Sequence, residues 1–188
     1  RLNKLLGTLV KEGKSMSDKK TELIEWVQAI AIAFVLSIII KTFIFEVILV
    51  DGYSMVPTLH ERDRIIVSKL TYRMSTPKQG DIVIFKNPGN MKQNYVKRVI
   101  GVAGDRIEIK DGMVYINDEL LNEAYIKEQP FGDFPEQIVP ENTIFVLGDN
   151  RNFSKDSRDP SVGFIPLKNV LGKAKIRIWP FTDITLFE

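Results

Sequence analysis

Residues 26–40 carry no charge over 15 positions, and this stretch constrains the chain more than any other. A helix at the surface of a globular domain needs a polar face, whereas one that is apolar all round must be enclosed by protein or placed in lipid. Fifteen residues fall short of the ~20 that cross a bilayer core. Lys41 interrupts, and residues 42–45 continue the run up to Glu46. A lysine close to a helix end lays its stem along apolar surface and places its ammonium at the interface. With that allowance residues 24–45 read as a single transmembrane helix. Ala29-Ile30-Ala31 and Ala31-Ile32-Ala33 have the small-x-small form of a leader cleavage site, but they lie inside the run rather than after it, so a permanent anchor is expected.

The flanks set an orientation. Arg1, Lys4, Lys11, Lys14, Lys19 and Lys20 precede the span, and residues 42–61 contain no Lys or Arg. The positive-inside rule then places residues 1–23 in the cytoplasm as a tail and residues 46–188 on the far side of a plasma membrane. Leu2, Leu5, Leu6, Leu9 and Val10 have helical spacing, but no cap marks a helix start, so a polar tail is the expectation.

After residue 46 the pattern changes to β. Runs rich in β-formers fall at 46–50, 64–68, 81–85, 95–102, 106–110, 113–116, 143–147 and 173–179. Residues 106–110 and 173–178 alternate charged and apolar side chains, as half-buried antiparallel strands do. Asp111-Gly112 between two such runs is a strong hairpin signal. Residues 122–142 are polar with Pro and Gly and read as an irregular excursion. The expected architecture is one transmembrane helix followed by a mostly β, antiparallel sheet or barrel-like domain.

Composition removes several functions. There is no cysteine, which excludes disulfides, thiol catalysis and thiolate metal sites. One histidine makes a His-based zinc site improbable. A net charge of +2 gives no case for a nucleic-acid partner, and no Gly-rich phosphate loop is present.

The remaining chemistry gathers at Ser54-Met55-Val56-Pro57-Thr58, shortly after the span. Pro57 fixes its own φ and restricts Val56, so the loop carrying Ser54 is stiff. On this pentapeptide alone, a serine in a proline-containing turn is the ordinary reading. A nucleophilic serine needs an adjacent base. His60 is six positions away; Lys97, in Tyr95-Val96-Lys97-Arg98-Val99-Ile100, is the other candidate. In a strand Tyr95, Lys97 and Val99 share one face, which surrounds the amine with apolar neighbours. Arg98 points the opposite way and can stay solvated. An exposed strand lysine is the ordinary alternative for Lys97, and a loop histidine for His60.

Four collinear blocks decide among these: YSMVPTL at 53–59, GDIVIF at 80–85, YVKRVIGVAGD at 95–105 and GDNRNFSKDSRDPSVGFIP at 148–166. Together, and after one span, they resemble bacterial type I signal peptidases, the membrane-anchored Ser/Lys endopeptidases that remove signal peptides from exported proteins. The resemblance implies a β-rich peptidase domain, Ser54 as nucleophile and Lys97 as general base. It implies Ser154 as the hydroxyl that orients the lysine, and Asp149, Arg151, Asp156 and Arg158 as charges bracing the active-site loop. Asn152-Phe153 stands where Asp/Asn-Asn is usual. The oxyanion would meet the Ser54 N–H; some members add a serine hydroxyl at the position of Gly52, which here has none. Substrates would be signal peptides cut after small residues, with alanine typical one and three places before the bond. Ile44, Val50, Met55 and Ile84 are candidates for lining the pockets, and Trp179, Phe181 and Phe187 for touching the bilayer. No cofactor or metal is implied. A self-cleaving repressor would need a DNA-binding region and no anchor, and a silent tethered β module would leave Ser54 and Lys97 dispensable.

Overall fold

The structure, a computed structural model, describes residues 2–187, with side chains described from residue 19 onward. The chain divides into two units, Arg1–Phe43 and Ile44–Glu188. In the first, α1 (Leu2–Ile39) is one continuous helix, followed by a π-helical stretch, Ile40–Ile44. Lys19–Ile44 is 26 residues, none of it buried by protein. At ~1.5 Å per residue that is ~39 Å, enough to cross a membrane. The expected polar tail is instead helical in its backbone from Leu2. Extending an existing helix adds residues without a new nucleation cost, so missing caps do not stop it. The helical stretch also closes one residue before the expected end, because Phe45 opens a strand.

In the second unit, among the described residues, the strands are β1 (Phe45–Leu49), β2 (Arg64–Ser68), β3 (Ile82–Asn87), β4 (Asn90–Val102), β5 (Arg106–Lys110), β6 (Met113–Ile116), β7 (Glu119–Leu120), β8 (Phe134–Ile138), β9 (Thr143–Leu147), β10 (Ile165–Pro166), β11 (Val170–Trp179) and β12 (Thr185–Leu186). They form a larger sheet, ordered β1-β2-β11-β3-β4-β9-β10 with β12 on β11, and a smaller one ordered β7-β6-β5-β8. Every pairing in both sheets is antiparallel. The mostly β, antiparallel architecture with one N-terminal apolar helix is therefore as expected.

Asp111 and Gly112 take φ of 50° and 73°, the positive pair of a tight hairpin turn, and join β5 to β6 with Lys110 opposite Met113. The supposedly irregular 122–142 contains β8, which pairs with β5. Its pattern is mostly exposed, so it lacks the apolar alternation by which a strand is recognised. β7, β10 and β12 are two residues each, too short for periodicity to register.

Two features of this sheet position the site. Met55 and Leu59 are fully buried in a cluster with Ile65, Val67, Ile82, Ile84 and Ala174, and the Leu59 N–H donates to the Met55 carbonyl at 2.8 Å. One hydrogen-bonded turn thus pins the Ser54 loop to the core; burial of two such side chains is worth about 1.5–3 kcal/mol each. In addition, β9 pairs with β4 only from Arg98↔Leu147 onward. Beyond that, Asn94–Lys97 pairs with β3 on one side and has no strand partner on the other among the described residues.

Candidate active site

β4 carries Lys97 opposite Val83, between Tyr95 opposite Phe85 and Arg98 opposite Ile82. Val83, Phe85 and Val99 are fully buried, so the alternation that places Lys97 on their face also takes it out of water. Lys97 is only 4% exposed. Its Nζ donates to Ser54 Oγ at 2.7 Å and to the Val96 carbonyl at 3.0 Å.

Burial pushes the Lys97 amine down to about 8, while Asp156 and Asp149 pull the other way. Each of the two carboxylates also has an arginine partner. Arg98 donates to Asp149 through Nε at 2.9 Å and Nη2 at 2.7 Å. Arg158 holds Asp156 at 2.8 Å through Nε and Nη2. The Tyr95 ring, 5.1 Å from Nζ, also favours the ammonium, by about 1 kcal/mol. Desolvation outweighs both, as expected for a deeply buried amine.

Behind the pair, the 148–158 segment is tied together by the predicted charges. Arg151 is buried, donates from Nε to the Gly148 carbonyl at 3.1 Å and forms a two-bond pair with Glu123. Asp156 accepts the Gly148 N–H at 3.1 Å, and Arg158 reaches the Arg151 carbonyl. A Cβ on Gly148 would overlap the Ser54 carbonyl oxygen and the Ser154 side chain, so only glycine lets the two segments approach. Ser154 therefore sits beside the site, but its Oγ is buried with no hydrogen-bond partner. Besides Ser54 Oγ, the hydrogen-bond partner of the Lys97 amine is the Val96 carbonyl.

The Ser54 N–H has no backbone acceptor among the described residues and is a donor free to meet an oxyanion. Gly52, at φ 95°, offers no side chain, and L residues rarely adopt that backbone.

Several residues of the site escaped the sequence reading. Arg98 is not solvated: its side chain is 11% exposed, paired with Asp149, and stacked 4.0 Å over Tyr125. Thr58 adds a hydrogen bond to Asp149. The Asn150 N–H and Nδ2 donate to the carbonyls of Ser54 and Tyr53, each at 3.0 Å. Arg177 on β11 bonds Asp63 and the Thr58 carbonyl, both at 3.0 Å, and steadies the other end of the Ser54 loop. Partners up to 119 positions apart leave no local signal in a sequence.

Ser54 and Lys97 open on a cleft of about 460 Å³, lined also by Val50, Met55 and Ile84. Three of the four expected pocket residues are there; Ile44 is not among them. His60 is exposed, and its backbone N–H donates to Asp63 at 2.9 Å. Its imidazole takes no part in the Ser54 contact, so His60→Ala should leave kcat within a few-fold in a precursor-cleavage assay. A loss matching that of a Lys97 variant would return the base to histidine. Phe187 packs against the core cluster of Met55 and Leu59, whereas Trp179 and Phe181 are exposed and stack edge to face at 4.8 Å. Among the described residues no group of three His, Cys, Asp or Glu is placed to hold a metal.

Residues 23–179 match the family described as signal peptidase, peptidase S26. The chain belongs to the signal peptidase family. It is 42% identical to signal peptidase I of Bacillus licheniformis over 179 residues, 89% of this chain and 95% of the relative. Against signal peptidase I S of Bacillus subtilis the identity is 38% over 177 residues, 88% of this chain and 94% of the relative. A solved signal peptidase I from Enterococcus faecalis V583 aligns at 35% identity with a TM-score of 0.47, over 53% of this chain and 97% of that one. As a signal peptidase the chain is a protease, and removal of signal peptides is the activity that its family supports.

Proposed function

We propose that this signal peptidase cleaves with a Ser/Lys dyad, Ser54 as nucleophile and Lys97 as general base. The observation that carries the reading is the 2.7 Å contact between Lys97 Nζ and Ser54 Oγ, made by an amine whose burial favours its neutral form. In the first half-reaction Ser54 Oγ attacks the scissile carbonyl carbon and its proton passes to Nζ. The tetrahedral oxyanion is met by the Ser54 N–H. Collapse breaks the C–N bond, and the Lys97 ammonium gives its proton to the leaving amine. In the second half water attacks the ester, Lys97 takes a proton from it, and Ser54 Oγ recovers a proton as the acid leaves. Asp149, Arg151, Asp156 and Arg158 hold the 148–158 segment in register, and Ser154 supports the site from behind Gly148.

The free side of Asn94–Lys97 suits an extended peptide that adds as a strand and brings its carbonyl to Ser54. Val50, Met55 and Ile84 give the cleft an apolar lining compatible with small residues, alanine above all, before the bond. Residues 24–45 serve as the anchor. The cytoplasmic N-terminus and extracytoplasmic residues 46–188 follow from the Lys/Arg bias around it. Bilayer contact is supported by an apolar row running Val47–Ile66–Ile176–Leu186 across β1, β2, β11 and β12, with Val47 and Leu186 exposed. Exposed Trp179 has the amphipathic character favoured at an interface, and Arg64 lies 6.0 Å over its ring.

The pH dependence tests the base. Only neutral Lys97 accepts the Ser54 proton, so kcat/KM should climb as pH rises through about 8. Precursor cleavage measured from pH 6 to 10 reads this directly. A profile that is flat across pH 7–9, or that rises through 6.5, would remove Lys97 from the role.

A further inference from the structure

We infer that Phe153 determines specificity in this cleft, its ring packing against an apolar side chain of the bound peptide; the inference rests on the Ser54/Lys97 reading of the cleft. Phe153 is 70% exposed, so its ring contributes little to the fold, yet it lines the same cleft as Ser54 and Lys97. The backbone beneath it is held firmly. The Phe153 N–H donates to the Asn150 carbonyl at 3.1 Å, and the Asn150 N–H donates to the Ser54 carbonyl at 3.0 Å. On the other flank, Asn152 Oδ1 accepts the Phe131 N–H at 2.8 Å and Nδ2 donates to the Gln129 carbonyl at 3.0 Å. The ring thus stands two hydrogen bonds from the nucleophile's own carbonyl, on a backbone with little freedom to drift.

The local conformation explains its direction. Ser154 is extended, with φ −128° and ψ 127°, so residues 153 and 155 project to one side and 154 to the other. Phe153 and Lys155 accordingly line the cleft, while Ser154 packs on Gly148. Tyr53, 60% exposed, lines the cleft too, its hydroxyl donating to Glu61 at 2.6 Å. A preorganised aromatic surface open to water beside a nucleophile gains most from covering an apolar side chain of the substrate, because its ordering cost is already met by the fold.

The experiment uses the full chain in detergent micelles and soluble peptides differing at one position at a time on either side of the scissile bond, each carrying Leu or Ser there. Wild type should favour Leu at one such position. Phe153→Ala should lower kcat/KM for that Leu peptide about tenfold, mainly through KM, with the matching Ser peptide changed less than twofold. Phe153→Leu should restore most of the loss, and thermal unfolding should be unmoved in both variants. Ser54→Ala is run alongside. If it still cleaves, the dyad reading fails. If it is inactive but Phe153→Ala affects every peptide equally, or none, the specificity role fails and the ring serves the lipid surface or the loop.

Discussion

Lys97→Met should lower kcat on a purified precursor by on the order of 10⁴-fold or more, as loss of a base from a nucleophilic pair does. Methionine keeps the stem volume of lysine but cannot take a proton, and Ser54→Ala should fall to the same floor because the two act as a unit. Lys97→Arg should not rescue, since a guanidinium stays charged. Stability separates chemistry from folding. Burial holds the folded-state amine near 8, below the 10.5 of an exposed lysine, so the unfolded chain binds more protons between those values. Stability therefore rises as pH climbs from about 8 to about 10.5, and below 8 the buried ammonium costs about 3 kcal/mol. Methionine removes that cost. The inactive variant should unfold at a higher temperature than wild type at pH 7 and lose its advantage above pH 10.5. Cleavage above a tenth of the wild-type rate would overturn the assignment.

Asp149→Ala should destabilise the protein by about 3–5 kcal/mol. The carboxylate is fully buried and accepts two bonds from Arg98 and one from Thr58. Its removal leaves the Arg98 guanidinium, 11% exposed, with the Gly80 carbonyl as an acceptor but no counter-charge. Thermal unfolding should shift down by about 10 °C or more. Activity should suffer as well, because next to Asp149 the Asn150 N–H donates to the Ser54 carbonyl and Gly148 packs against it. The double variant Arg98→Met/Asp149→Ala should recover part of the loss, since it removes both charges instead of stranding one. A shift under 1 kcal/mol for Asp149→Ala would show that solvent or another group takes over the guanidinium.

Much of the site was legible because its chemistry lies in short local patterns. The stiff loop at Ser54, the apolar alternation around Lys97 and the charges of 148–158 are each readable within a dozen residues. Arg98 was misread for a physical reason. Alternation says which face a side chain leaves by, but it does not say whether a carboxylate from a loop 51 positions away will be waiting there. Glu123 was missed similarly: it lies in a stretch with no periodicity, and its significance comes only from the buried Arg151 it neutralises. Phe153 reads as a substitution in a motif, and only its exposure inside the cleft gives it a task.

By itself the sequence determined the apolar N-terminal helix, the antiparallel β class and which serine and lysine to look at together, because hydrophobic period, turn chemistry and motif spacing act over a few residues. Tertiary structure decided how far Lys97 is removed from water, which cations neutralise Asp149 and Asp156, and where β9 leaves β4 so that an edge stays open beside Ser54. Those outcomes depend on long-range packing, where desolvation and charge pairing are set by residues that meet only in the folded chain.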